Sequence, residues 1–203
     1  MQPFSALDWR TCVATVACLL LPMVSGAQTL VDPLVPDGAS EWTLSAVGGP
    51  AVSVFHSVAD RSLTLFPISW GRVVSGLHGS GILAGRLSMH LEAVPFVAVN
   101  QAETAYGAAI TPIFLRWNFA RHGRWAPFAE ISGGFLRTDR PVPERTLRLN
   151  FTAHAGGGLR FRISETRALI VGYRFHHVSN GNRLEANPGV NSNLIVAGVS
   201  FFR

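Results

Sequence analysis

Along most of the chain, apolar and polar side chains alternate residue by residue. From Thr146 to Ile163, Leu147, Leu149, Phe151, Ala153, Ala155, Leu159, Phe161 and Ile163 share one parity. Arg148, Asn150, Thr152, His154, Arg160 and Arg162 share the other. A period of two held over that length marks a strand with one apolar and one polar face. Between Ile82 and Val99 the same pattern sets Leu83, Leu87, Met89 and Leu91 against Arg86, Ser88, His90 and Glu92. Arginine, histidine and glutamate gathered on one face suit a barrel lumen in which they pair, with the apolar face toward lipid. Segments of this kind recur about eight times. They are Glu41–Gly49, Ser62–Val73, Ile82–Val99, Ala105–Phe119, Ala126–Thr138, Thr146–Ile163, Arg167–Asn180 and Asn191–Phe202. The expected fold is all-β, an eight-stranded antiparallel transmembrane β-barrel of the outer-membrane type. Side chains fill an interior of that bore, which argues against a diffusion pore.

The links support this reading. In the second half short turns (His122-Gly123-Arg124, Ser164-Glu165-Thr166) alternate with longer stretches rich in Pro, Gly and charge (Asp139–Arg145, Gly181–Val190). Such alternation is expected when one rim faces the periplasm and the other the exterior. Pro50–Arg61 lacks a period and reads as the first outer loop, and residues 28–40 read as a periplasmic lead-in to a single barrel domain, 28–203. Trp42, Trp70, Trp117 and Trp125 fall near strand ends, where interfacial aromatic girdles form.

The N-terminus changes the picture in one respect. Arg10 precedes an apolar run from Thr11 to Val24, and Ser25-Gly26-Ala27 offers small residues to a signal peptidase. Residues 1–27 therefore read as a secretory signal cleaved after Ala27. The apolar run is shorter than the roughly 20 residues of a helical span. Cys12 and Cys18, the only cysteines, lie within it, so the mature chain has no thiol for a disulfide or metal site. Hydrophobic residues make up 48% of the chain and charged ones 14%, which excludes a disordered protein. All basic charge beyond histidine is arginine, and the net charge is +5. The arginines are scattered, with no basic run or aromatic signature for nucleic acid.

Candidate chemistry lies on the seventh expected strand. Leu169, Val171, Tyr173 and Phe175 share the lipid-facing parity, and His177 and Ser179 continue it. Arg174 and His176 take the lumenal parity. A polar pair on the lipid face is costly unless it serves a function. Two residues apart on one face, these side chains start about 7 Å apart, and the imidazole can lean toward the hydroxyl. His177 as general base and Ser179 as nucleophile are the minimum for acyl transfer. A strand running outward would place the pair at the outer leaflet, facing lipopolysaccharide. The bland alternative is a strand end followed by a turn, for which Ser179-Asn180-Gly181 and Asn187-Pro188-Gly189 are well suited.

Tyr173-Arg174-Phe175-His176-His177-Val178-Ser179-Asn180-Gly181, followed by Asn187-Pro188-Gly189-Val190-Asn191, resembles the active-site hairpin of the lipid A 3-O-deacylase (PagL) / acyloxyacyl hydrolase family. The resemblance covers roughly Gly172–Phe202 and is only architectural elsewhere. It implies an eight-stranded outer-membrane barrel of a Gram-negative cell that removes the ester-linked acyl chain at the 3-position of lipid A. It also implies a Ser-His-Glu triad on the barrel exterior, without metal or cofactor. On that pattern His177 is the base, Ser179 the nucleophile and Asn180 a residue of the oxyanion hole. The family's glutamate falls at Asn191, which is the candidate third member; Glu185, in the intervening loop, is the fallback. An asparagine can accept a hydrogen bond from imidazole, but it supplies no full negative charge to an imidazolium.

The sequence leaves competing readings. A non-catalytic structural or adhesion barrel would keep the hairpin as a relic, and the missing glutamate favours it. Arg86, His90, Glu92, Glu130, His154 and Arg174 read as lumenal packing. His90 and Glu92 lack a third ligand at metal-site spacing, so no metal is expected. Enclosure of the site by a homodimer partner stays open.

Overall fold

The computed structural model describes residues 34–121, 123–185 and 187–203. The signal reading of residues 1–27, residues 28–33 of the expected lead-in, His122 of one expected turn and Ala186 lie outside the described residues. Nine strands follow in order: β1 Ser40–Val52, β2 Ser62–Leu65, β3 Ile68–Val73, β4 Gly85–Asn100, β5 Ala105–Phe119, β6 Trp125–Thr138, β7 Leu149–Ser164, β8 Arg167–Ser179 and β9 Val190–Phe202. β2 and β3 both pair with β1 on one side and β4 on the other, so they are halves of one barrel strand. The break falls at Phe66-Pro67, where proline has no N–H for the ladder. Neighbouring strands pair antiparallel throughout, and β9 pairs with β1 from Glu41↔Phe202 to Val52↔Asn191. The result is a closed antiparallel barrel of eight strands with no free edge.

Alternation of exposure follows the expected parity. On β8 the odd positions Leu169, Val171 and Tyr173 are exposed, while Ala168, Ile170, Arg174, His176 and Val178 are buried. On β4 the lumenal Arg86, Ser88, His90 and Glu92 are buried, opposite the exposed Met89 and Leu91. Three expected boundaries move. β1 runs on to Val52, so Pro50–Val52 belong to the wall and the first outer loop begins at residue 53. Gly81–Leu83 form a 3-10 turn instead of opening a strand, with Ile82 and Leu83 exposed. Thr146–Arg148 belong to the preceding link, where Thr146 Oγ1 donates to the Pro143 carbonyl. The links 74–84, 120–124 and 165–166 share one rim with the chain's last residues; 53–61, 101–104, 139–148 and 180–189 share the other. Links alternate short and long only in the second half, because 74–84 is long and 101–104 is short.

The lumen is solid and layered. Near the rim of the chain's last residues, Arg160 makes a bidentate pair with Glu41 (2.7 and 2.9 Å), and the Ser200 hydroxyl donates to the same carboxylate (2.5 Å). Glu130 accepts from Arg116 (2.9 Å) and Arg174 (2.7 Å), and Arg174 reaches on to Glu92 (3.2 Å). Charges this deeply buried are tolerable only when paired and hydrogen-bonded. Toward the 180–189 rim lies an apolar plug that includes Val97, Val99, Val178, Val190 and Val142, the last contributed by the 139–148 link. At the other rim Leu34 and Val35 pack with Val73, Ala168 and Phe202 in a second apolar plug. The cavity between the layers is about 20 Å³, room for about one water.

Two aromatic belts ring the exterior. Trp42, Trp70, Trp117 and Trp125 gather at the rim of the chain's last residues, with Trp42 opposite Trp70 in one register and Phe201 in the other. Exposed Phe66, Phe96, Tyr106, Phe135 and Phe151 form the belt toward the opposite rim. The two belts thus bracket the apolar wall, as girdles do at the two interfaces of a membrane barrel.

Candidate active site

β8 brings His177 and Ser179 to the outer surface at the rim carrying the 180–189 link, both half-buried. β9 returns antiparallel with Asn191 directly opposite His177. Same-face partners across an antiparallel pair have their Cβ atoms about 4.5–5.5 Å apart, so the side chains can meet. They do: His177 Nδ1 lies 2.7 Å from Asn191 Oδ1. The amide's other end donates from Nδ2 to the Val54 carbonyl at 3.0 Å. With Nδ2 committed as donor, Oδ1 faces the imidazole, which must then carry its proton on Nδ1. His177 Nε2 is the lone-pair nitrogen, the form a general base requires.

Ser179 sits two residues beyond His177 on the same face, opposite Phe151 of β7. Among the described residues its hydroxyl makes no hydrogen bond, so base and nucleophile share a face without being joined in this structure. Asn180 takes the inward parity and is buried. Its backbone N–H donates to Asn187 Oδ1 (3.0 Å). Glu185 is exposed in the link and makes no hydrogen bond or ion pair among the described residues. The structure therefore joins His177 to Asn191, sets Ser179 on the same face and Asn180 inward beside it, and leaves Glu185 apart.

Turn chemistry holds this rim. Gly181 has φ +64°, and a Cβ there would lie 2.6 Å from the Phe151 ring, so only glycine fits. Gly189, also at φ +64°, clears the imidazole: a Cβ would approach His177 Cε1 to 3.2 Å. Arg183 donates from Nε to the Asn180 carbonyl (2.8 Å) and hydrogen-bonds the Leu149 carbonyl, its guanidinium 5.1 Å from the Phe151 ring centre. Asn187 also donates to Asn182 Oδ1 (2.8 Å). Below the site on the same face, the Tyr173 hydroxyl donates to Asn193 Oδ1 (2.6 Å).

The sequence reading placed Asn187 only in a turn and gave no role to Arg183, Asn193 or Val54. Parity could have found Asn193, which continues the outward row of Asn191. Nothing local marks Val54, 137 residues away from its partner.

A family model for lipid A 3-O-deacylase (PagL) matches residues 66–200. The chain belongs to the PagL family. The crystal structure of the outer membrane enzyme PagL is similar with a TM-score of 0.56 at 19% identity, over 77% of this chain and 97% of that one. Neisserial surface protein A (NspA) gives 0.55 at 15% identity, over 81% and 99%. The N-terminal β-barrel domain of Pseudomonas aeruginosa OprF gives 0.50 at 11%, over 82% and 98%. At these identities the structural likeness shows the fold alone. No curated protein matches the chain. Family and fold place this PagL-family barrel in the outer membrane, in a family of lipid A deacylases.

Proposed function

We propose that the chain hydrolyses an ester-linked acyl chain, at the 3-position, of lipid A in the outer leaflet. The observation that carries this reading is the His177–Asn191 hydrogen bond on the outward face of a PagL-family barrel, beside Ser179. With the chain's N-terminal end at the periplasmic rim, β8 runs outward and its end meets the outer leaflet.

Ser179 Oγ attacks the ester carbonyl carbon while its proton passes to His177 Nε2. Asn191 Oδ1 holds the ring by accepting from Nδ1–H. By the family resemblance, Asn180 and backbone N–H groups of the rim steady the oxyanion. Collapse breaks the bond to the sugar oxygen, which takes the proton from His177 and leaves as the free 3-hydroxyl. Water, deprotonated by the same imidazole, then cleaves the acyl-serine. The products are a free fatty acid and an underacylated lipid A. Exposed Phe151, Leu169, Val171 and Ile195 offer an apolar wall to acyl chains. Arg137 and Arg183 flank Leu149 at the rim, where lipid phosphates would lie.

A second reading, a barrel that keeps the site as a relic, has two observations in its favour: the family's glutamate is replaced by Asn191, and Ser179 is not hydrogen-bonded to His177. Mass spectrometry of lipid A from cells expressing the wild type and Ser179→Ala separates the two. The expected result is loss of one ester-linked hydroxyacyl chain with the wild type and none with Ser179→Ala. Intact lipid A with both would favour the relic.

A further inference from the structure

The third position of the site is an amide, and the structure shows a physical reason for it. The seam between β1 and β9 ends at the pair Val52↔Asn191, so the 53–61 link leaves the barrel wall beside Asn191. Its second residue presents the Val54 carbonyl to Asn191 Nδ2 at 3.0 Å. The link is tied in place from several sides. The Ser57 hydroxyl donates to the Val52 carbonyl (2.8 Å), and Ser57 N–H donates to the Val54 carbonyl (3.1 Å). Val58 N–H donates to the Gly189 carbonyl (3.2 Å), and its side chain packs against the apolar plug. Gly189 in turn clears the face of the His177 ring. Phe55 and His56 hold φ of +52° and +60°, a left-handed backbone that such residues adopt only when their surroundings enforce it.

We infer that the 53–61 link is a positioning element of the acyl-transfer site, with the Val54 carbonyl selecting an amide over a carboxylate at position 191. This rests on the esterase reading above. Asn191 is 2% exposed, so its two ends have no water to exchange for and must both find protein partners. An aspartate of the same size would set a carboxylate oxygen against the Val54 carbonyl oxygen, acceptor against acceptor. Either the link or the side chain must then move, and His177 loses its fixed partner. In a site without that carbonyl the expectation reverses, because a carboxylate stabilises the imidazolium that forms during acyl transfer. Asn191 acts through His177, and Val54 acts through Asn191; both are positioning residues.

The sign of one substitution tests the inference. Asn191→Asp is made in the wild type and in a link variant, Ser57→Ala with Val58→Pro, and lipid A hydrolysis is followed in detergent micelles. Folding of each variant is checked by its mobility on an unboiled gel, with Ser57→Ala alone as the milder background if the double change prevents folding. In the wild-type background Asn191→Asp is expected to lower kcat by about 10-fold or more while KM changes by less than about 2-fold. In the link variant the same change is expected to cost less than about 3-fold, or to raise kcat. A rise in kcat for Asn191→Asp in the wild-type background, or an equal loss in both backgrounds, overturns the inference.

A second readout does not depend on turnover. Side-chain ¹⁵N spectra of His177 are expected to show a single Nδ1–H tautomer in the wild type and a mixture in the link variant. An unchanged tautomer in the link variant overturns the coupling. A wild type without hydrolysis but with the tautomer shift would instead remove the esterase reading and leave the coupling standing.

Discussion

At the residue scale the site depends on side chains whose neighbours leave them little choice. His177 is held at Nδ1 by Asn191, and Asn191 is held by Val54, so the imidazole's tautomer follows from a chain of two hydrogen bonds. Gly181 shows the same constraint in the backbone. Gly181→Ala would have to keep φ near +64° and place a methyl against the Phe151 ring, 2.6 Å away. It is expected to destabilise the barrel by about 1–3 kcal/mol. A lower urea midpoint in lipid vesicles checks this, and an unchanged midpoint would show that the turn relaxes freely. His177 and Ser179 were legible from parity alone, as a polar pair continuing a lipid-facing row. The Val54 contact was not, because hydrogen bonds to a backbone carbonyl leave no mark on the identity of the residue that supplies it.

At the scale of elements, three links of the site rim are fastened at one carboxylate. Glu144 of the 139–148 link hydrogen-bonds Arg61 of the 53–61 link and accepts from Ala102 N–H of the 101–104 link (3.1 Å). Burial alone would raise its carboxyl, but the hydrogen bonds from Arg61 and the backbone outweigh it and hold the pKa below the ordinary value. A lowered folded-state value means the contribution to stability is complete above the unfolded value of 4.5 and is lost as pH falls through the folded one. Glu144→Gln is therefore expected to cost at most about 1 kcal/mol at neutral pH, since the pair is partly exposed, and nothing in strong acid. Denaturant melts of both proteins at neutral and acidic pH check the sign: a gap that widens on acidification would contradict it. The strands were read from the sequence to within a few residues, because each carries its period of two internally. The links were read less fully: short and long alternate in the second half as expected, but 74–84 and 101–104 do not extend that pattern, and only the closed barrel shows which rim each joins.

At the scale of the whole molecule, the lumen explains both stability and the lack of a channel. Three glutamates and three arginines interlock between two apolar plugs. Arg174 bridges Glu130 and Glu92, so Arg174→Ala would leave two buried carboxylates short of a partner. Breaking a buried pair from one side is expected to cost about 3–5 kcal/mol. The check is an unfolding midpoint shifted well beyond that of an outward substitution such as Val171→Ala. A shift no larger would mean that water enters and resolvates the network.

The sequence by itself determined the strand positions, the face each side chain takes, and the residue types at the rim that point to acyl transfer. These are periodic or local properties, and a period of two survives in a linear string. Only the tertiary structure decided that His177 meets Asn191 and that Glu185 stands apart. It alone tied the first link to the site through Val54 and cross-paired the lumenal charges. Each of these is a contact between positions distant in sequence. Barrel closure sets β1 against β9, and the register of that seam fixes which atoms meet.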